Sequence, residues 1–221
     1  MLVSGQVQAQ DLRLVQHTLR IPVRPTLPIP EPTTSSVQAP CQVHIKKKKS
    51  LQSALSMGKV LIPKYHPDYL SLLIVNELLG GYFGSRLMRN IREEKGYTYG
   101  IFSRIVSLRQ ASYLLIATEI AKNHAQATIQ EIKHEIEVLR TTPVPEQELN
   151  LLRNYMLGSF LSEINDPFSL MQQFKAVALH GMDQSYYERL FNTIQHIDAP
   201  QIMMLANKYL AEDSLHTVVV G

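Results

Sequence analysis

Asn76-Glu-Leu-Leu-Gly-Gly-Tyr-Phe-Gly-Ser-Arg-Leu-Met-Arg-Asn-Ile-Arg-Glu-Glu-Lys-Gly-Tyr-Thr-Tyr-Gly100 holds two helix stops and one strand start within 25 residues. A helix opening at Pro67-Asp68 carries the almost fully apolar run Leu72 to Val75 and reaches Gly80-Gly81, where glycine ends it. A second helix, roughly Ser85 to Glu94, ends at Gly96, and Tyr99 to Val106 then reads as a strand. Arg92 therefore falls at a helix end, and Tyr99 falls just past a glycine break at the mouth of a strand. A guanidinium and a phenol that converge can hold a peptide carbonyl or a developing oxyanion. The plainer alternative is that Arg92 answers the helix dipole while Tyr99 is an ordinary strand aromatic. The residues by themselves leave both open.

Outward from this stretch, Gln42 to Lys49 and Gln52 to Ile62 read as strands, and Ala111 to Thr118 pairs with Tyr99 to Val106 as a hairpin. After Asn123 the apolar period turns helical, with helices expected near 123–140, 146–164, 167–181, 185–194 and 198–210. Ser214 to Val220 closes the chain as a strand. At the other end, Leu2 to Val7 is a short apolar run and Gln8 to Arg20 follows at helical spacing. Five of the twelve prolines crowd into residues 21–36, a density that forbids helix and favours an extended path. Only about twenty residues precede that segment, too few to fold alone, so residues 21–40 are expected as a strap across one domain. The sum is an α+β chain: a two-layer sandwich of about six mostly antiparallel strands, with helices on one face.

Composition sets further bounds. The 221 residues are 45% hydrophobic and 19% charged, enough apolar material for a packed core, and one elaborated domain is the expectation. The formal charge of +3 comes from 22 basic and 19 acidic residues, and setting aside Lys46–Lys49 leaves 18 against 19. A nucleic-acid binder ordinarily shows a broader positive field, so nucleic acid is not an expected partner; lysines on an edge strand also discourage aggregation. No apolar run approaches the ~20 residues of a membrane span. Cys41 is the one cysteine, which excludes an intrachain disulfide, a zinc ribbon and a Cys-x-x-Cys redox pair while leaving the compartment open.

Metal and nucleophile motifs are sparse. The eight histidines stand at 17, 44, 66, 124, 134, 180, 196 and 216, and no two are four apart, so a helical His-x-x-x-His zinc clamp is absent by arithmetic. Glu131-x-x-His134 has the spacing of a bundle ligand motif, but a di-metal site needs two copies. No Gly-x-Ser-x-Gly elbow occurs, and the proximity of Cys41 to His44 in sequence fixes no geometry. Gly80 to Gly84 is glycine-rich, yet it follows a helix and lacks the Lys-Ser/Thr ending of a phosphate loop.

The stretch 76–100 resembles the second domain of the insulinase–pitrilysin family of zinc metallopeptidases, to which mitochondrial processing peptidase belongs. An apolar helix, Leu-Gly-Gly, Ser-Arg-Leu, Arg-Glu and Gly-x-x-Tyr occur here in that order and spacing. Leu2-Val-Ser-Gly is similar to the strand that opens such a domain and Thr217-Val-Val-Val-Gly to the one that closes it, so the likeness extends over nearly the whole chain.

The resemblance implies a half-unit of two related domains. The first carries His-x-x-Glu-His and a later Glu that bind zinc and activate water; the second supplies an Arg and a Tyr across a closed chamber. Those roles map onto Arg92 and Tyr99 as catalytic residues completing a zinc site on another domain. Gly80, Gly81, Ser85 and Arg86 map onto the substrate-binding turn. No cofactor is expected in this chain, and zinc is expected in a preceding domain of the same parent or in a partner subunit. The implied function is the substrate-binding, active-site-completing part of an endopeptidase that cleaves unfolded peptides, inactive by itself, in a homo- or heterodimer. The alternative is a non-catalytic helper or scaffold subunit. Bacterial cytoplasm or periplasm are the compartments favoured, and Met1 is expected to begin an excised piece.

Overall fold

The computed structural model describes residues 2–19, 39–211 and 214–221. The proline-rich segment expected as a strap therefore lies outside the described residues, apart from its last two positions. Helix α1 spans Ala9–Thr18, followed by strands β1 (Gln42–Ile45) and β2 (Gln52–Leu61) and helix α2 (Tyr69–Asn76). Two π-helical turns, Glu77–Gly81 and Met88–Glu94, lead into the hairpin β3 (Thr98–Ser107) and β4 (Ser112–Ala121). Helices α3 (Ala125–Thr141), α4 (Glu146–Glu163), α5 (Pro167–Ala178), α6 (Ser185–His196) and α7 (Ala199–Tyr209) follow, and β5 (His216–Val220) ends the chain.

The strands form one mixed sheet in the order β1-β5-β2-β4-β3. The last strand is inserted between the first two: β5 runs parallel to β1, with Val43 opposite Val218, and antiparallel to β2, with Leu55 opposite Val219. β2 pairs along its full length with β4, which pairs with β3. Alternation decides which face is covered. Leu55 and Met57 on β2, Leu114, Ile116 and Ile120 on β4, Ile101 on β3 and Val219 on β5 all point to one side and are buried. Against them pack Leu72, Ile74 and Val75 of α2, Ile129, Ile132, Ile136 and Leu139 of α3, and Ile202 and Leu205 of α7. The α3 set recurs every three or four residues, the spacing that keeps one helix face on the sheet. The opposite face keeps Tyr113, Phe102 and Val218 at least a third exposed.

Two expectations are corrected. The sheet has five strands among the described residues, because Leu2-Val-Ser-Gly is not one. Residues 5 and 6 bend, the Ser4 hydroxyl donates to the Pro167 carbonyl and Gly5 sits beside Phe168, so this segment docks at the start of α5 instead of a sheet edge. The four lysines follow β1 and do not ride on it: β1 stops at Ile45, and Lys49 takes a positive φ of 66° to turn the chain toward β2.

Several boundaries have local causes. Asp166 caps α5 by accepting from the Phe168 and Ser169 amides, and Pro167 fills the first helical position, where its missing N–H is not needed. Asp198 and Gln201 form a reciprocal capping box on α7, again with proline in the first turn.

Candidate functional site

The diagnostic stretch folds as two π-helical turns with different surroundings. In the first, α2 widens at Glu77 into a π-helical turn that ends at Gly81. Gly80 is packed so closely on β3 that a Cβ there would lie 2.8 Å from the Ser103 amide nitrogen and 2.9 Å from Leu87 Cδ1. Ser103 also donates to the Asn76 carbonyl at 3.1 Å, and the Asn76 side chain donates back to the Ser103 carbonyl at 3.3 Å. Only a residue without a side chain lets helix and strand meet here. Gly81 is exposed, with the Glu77 carboxylate folded over it. The Ser85 amide closes the next turn on the Tyr82 carbonyl at 3.1 Å, and Ser85 itself is fully buried.

Arg86 is 5% exposed and grips Glu148 of α4 with both arms, Nε to Oε1 at 3.0 Å and Nη2 to Oε2 at 2.7 Å. This fork fastens the turn to the helical layer. Arg89 reaches the same carboxylate at 3.7 Å.

The second turn is more open. Met88–Glu94 closes with the Lys95 amide donating to Asn90 at 2.9 Å and the Tyr97 amide to Ile91 at 3.0 Å, with Gly96 at φ +67° between them. Such wide turns interrupt regular helix and often accompany function. The Asn90 amide donates to Glu131 at 3.1 Å and Glu135 at 2.6 Å, and Lys95 pairs with Glu131 at 3.3 Å, which pins the turn to α3. The Glu131 carboxylate, half of the Glu131-x-x-His134 spacing, is thus spent on Asn90 and Lys95. Arg92 is one-third exposed; its guanidinium lies 4.6 Å from the centre of the Phe83 ring and 3.7 Å from Glu93.

Tyr99 owes its position to an irregularity in the hairpin. Thr98 is opposite Ile120 while Ile101 is opposite Thr118, so the register slips across Tyr99-Gly100. A bulge of this kind re-aims a side chain. Tyr99 is 94% exposed. Hydroxyls take up the backbone groups that the slip releases. Thr98 Oγ1 accepts from the Gly100 amide at 3.1 Å and lies 2.7 Å from the Glu119 carbonyl. Thr118 Oγ1 lies 2.9 Å from both Thr98 Oγ1 and the Gly100 carbonyl. Beside the bulge, a shallow cavity of about 440 Å³ opens on the uncovered sheet face, lined by Ala54, Ser56, Tyr99, Phe102, Ala117 and Glu119 among others.

Among the described residues no hydrogen bond, ion pair or ring contact joins Arg92 to Tyr99: the guanidinium lies on Phe83 and beside Glu93, and the phenol is open to solvent. Sequence reasoning missed Phe83, Thr98, Thr118 and Glu148. Phe83, exposed and flanked by Tyr82 and Gly84, was legible as an aromatic that a tight turn would push outward. The threonines and Glu148 carried no local signal, since their roles come from cross-strand register and helix packing.

Among the described residues no three His, Cys, Asp or Glu side chains gather as a metal site, so the residues present do not fit zinc. No helix among them is long and apolar enough to cross a membrane.

A five-stranded sheet covered by helices on one face, with a glycine-locked turn at its edge, defines a two-layer α+β domain. The profile of the family described as "Peptidase M16 inactive domain" matches residues 3–156, and the chain belongs to that family. An uncharacterized zinc protease of Bacillus subtilis, YmxG, is 24% identical over 168 residues, which is 76% of this chain and 41% of that protein. A peptidase M16 inactive domain from Pseudomonas fluorescens superposes with a TM-score of 0.76 at 24% identity, covering 83% of this chain and 44% of that one. A protease from Helicobacter pylori gives 0.87 at 18% identity, over 99% of this chain and 54% of its own. These two structural likenesses are of fold. The chain spans about half or less of the length of each of these relatives.

Proposed function

We propose that this chain is the substrate-binding, active-site-completing domain of a zinc-dependent endopeptidase that cleaves unfolded peptides in a closed chamber. The observation that carries the reading is Tyr99: a bulge braced by two threonines turns a phenol outward over an open cavity, where packing gives it no task. Zinc and its catalytic water would belong to another domain, in the same polypeptide or in a partner subunit.

Within such a site, the Tyr99 hydroxyl donates to the oxyanion that forms on the scissile carbonyl. Arg92 anchors a neighbouring substrate carbonyl, its guanidinium held over Phe83 until the peptide arrives. A donor at an oxyanion is typically worth about 2.7–4 kcal/mol of barrier. The buried Ser85 and Arg86 act in this scheme by holding the turn, while Gly81 and Phe83 present its outer surface to the peptide.

The second reading, a non-catalytic helper or scaffold subunit, is favoured by one contact: Arg92 already has partners in Phe83 and Glu93. Zinc content and peptide cleavage, measured on the chain combined with its zinc-bearing domain, separate the two readings. Turnover that collapses in Arg92→Ala and Tyr99→Phe supports the completing role. Turnover that ignores both substitutions leaves the scaffold.

A further inference from the structure

A second cavity, of about 470 Å³, opens away from Tyr99, between the β2–α2 loop and α6. Its polar wall includes Lys64, His66 and Arg189 beside the neutral Asn192 and Thr193, and its apolar wall includes Tyr65, Leu70 and Tyr186. None of the described residues that line it is acidic.

Lys64 is its defining group. The ammonium is half-buried, donates to the Ala176 carbonyl at 3.0 Å and lies 4.8 Å from the centre of the Tyr186 ring. Among the described residues no carboxylate comes within ion-pair distance of it. A carbonyl and a ring face satisfy part of an ammonium, but they do not neutralise it, and burying a charge without a counter-charge is costly. Burial accordingly holds Lys64 below the ordinary lysine value, and His180 is lowered by its own burial and then by the charge of Lys64.

The neighbouring carboxylates are committed elsewhere. Asp68 accepts from Lys208 at 2.7 Å and from Tyr209 at 2.6 Å. Asp183 accepts from the Ser185 amide and hydroxyl, and that hydroxyl in turn meets Arg189 at 2.5 Å. Arg189 is therefore partly offset and Lys64 is not, so one net negative charge balances the cavity better than two. His66 Nδ1 accepts from the Asp68 amide at 3.1 Å, so Nε2 is the ring nitrogen left to donate.

The geometry points to a binding site for a carboxylate carried on an apolar body, the chemistry of a peptide's C-terminal residue: Lys64 takes the carboxylate, Arg189 borders it, and Tyr65, Leu70 and Tyr186 hold the apolar part. The volume falls within the range of ordinary small-ligand pockets, and a few convergent polar groups on an apolar wall are what such pockets use. This inference does not depend on the peptidase reading, because it uses none of the residues around Tyr99.

The test is a calorimetric titration of the whole chain with N-acetyl-phenylalanine, its C-terminal amide and inorganic phosphate. The free acid should bind, the amide should bind at least roughly tenfold more weakly, and Lys64→Gln should cost the acid a similar factor, the usual size of a lost charge-assisted bond. Arg189→Gln should give a smaller loss. Lys64→Arg, which restores the charge, should recover part of the affinity; a folded Lys64→Gln chain with normal circular dichroism excludes collapse as the cause. Equal binding of acid and amide, tighter binding of phosphate than of the acid, or no binding of the acid to the unaltered chain would each overturn the assignment.

Discussion

Arg86 and Arg92 lie six residues apart in one motif and meet opposite fates. Arg86 is buried and held in a two-armed pair with Glu148, while Arg92 lies a third exposed across Phe83. The same division separates Gly80, wedged against Ser103, from Tyr99, held outward by a bulge. A motif can therefore be contiguous in sequence and split in purpose. Its first half fastens a helix to a strand and to α4; its second half is pinned to α3 by Asn90 and Lys95 and leaves Arg92 and Tyr99 facing outward. Substitutions at Gly80 and Arg86 should act on stability, and substitutions at Arg92 and Tyr99 on turnover.

The largest effect should come from Arg86→Ala. Removing one partner of a buried pair strands the other charge, at a cost of about 3–5 kcal/mol. Urea unfolding of the chain should show it, and a loss below about 1 kcal/mol, the value of a surface pair, would erase the contrast drawn above. Tyr99→Phe should do the reverse. Under the proposed completing role, turnover of the chain combined with a zinc-bearing domain should fall by about two to three powers of ten, the usual loss on removing an oxyanion donor. Stability should move by no more than about 0.5 kcal/mol, because the side chain touches solvent almost everywhere. Tyr99→Phe that destabilises the chain while sparing turnover would break the division outright.

A smaller effect is expected at Gly80→Ala. A methyl 2.8 Å from the Ser103 amide and 2.9 Å from Leu87 must push strand and helix apart, and such overpacking typically costs about 1–3 kcal/mol. Gly81→Ala should be milder, since the obstacle there is the end of the Glu77 side chain, which can swing away. Equal losses at the two glycines would mean that the close approach of Gly80 to β3 does not set the turn.

The contrast also explains what the sequence could and could not disclose. The two-layer α+β class was readable because β2, β4 and α3 repeat their apolar residues at periods of two and three to four, and those periods survive into the buried face. The start of α5 was marked by Asn165-Asp-Pro, a capping residue followed by proline. The supposed first strand at Leu2 failed because an apolar run does not say whether it meets a sheet edge or a helix end. The order of the strands was hidden too, since placing β5 between β1 and β2 depends on contacts between residues far apart in the chain, such as Gln42 with Thr217 and Gly58 with His216. At the site, the types and spacing of Arg92 and Tyr99 were legible. The bulge that aims Tyr99 was not, because it arises from a slip in pairing between Thr98 and Thr118, and neither residue is unusual in its own strand.

The subtlest difference between the halves of the motif is electrostatic, and it lies at Glu77. Its carboxyl, folded over Gly81, is pushed above the usual carboxylate range by burial first and by the nearby Glu163 second. A carboxyl raised in the folded chain holds its proton longer than it does unfolded. The folded state then binds more protons across the interval between the two values, and stability must fall as pH rises through that interval. Glu77→Gln keeps the shape and removes the titration. The variant should therefore match the parent at low pH, where both side chains are neutral, and exceed it in stability once pH passes the raised value. Arg92 offers the control: lying on the exposed side, Arg92→Gln should shift the stability curve far less and leave its slope unchanged over the same interval. Urea midpoints taken in steps from acid to neutral pH decide the matter; a parent and a Glu77→Gln variant that run parallel would show that the carboxyl is as well solvated as the outward-facing groups.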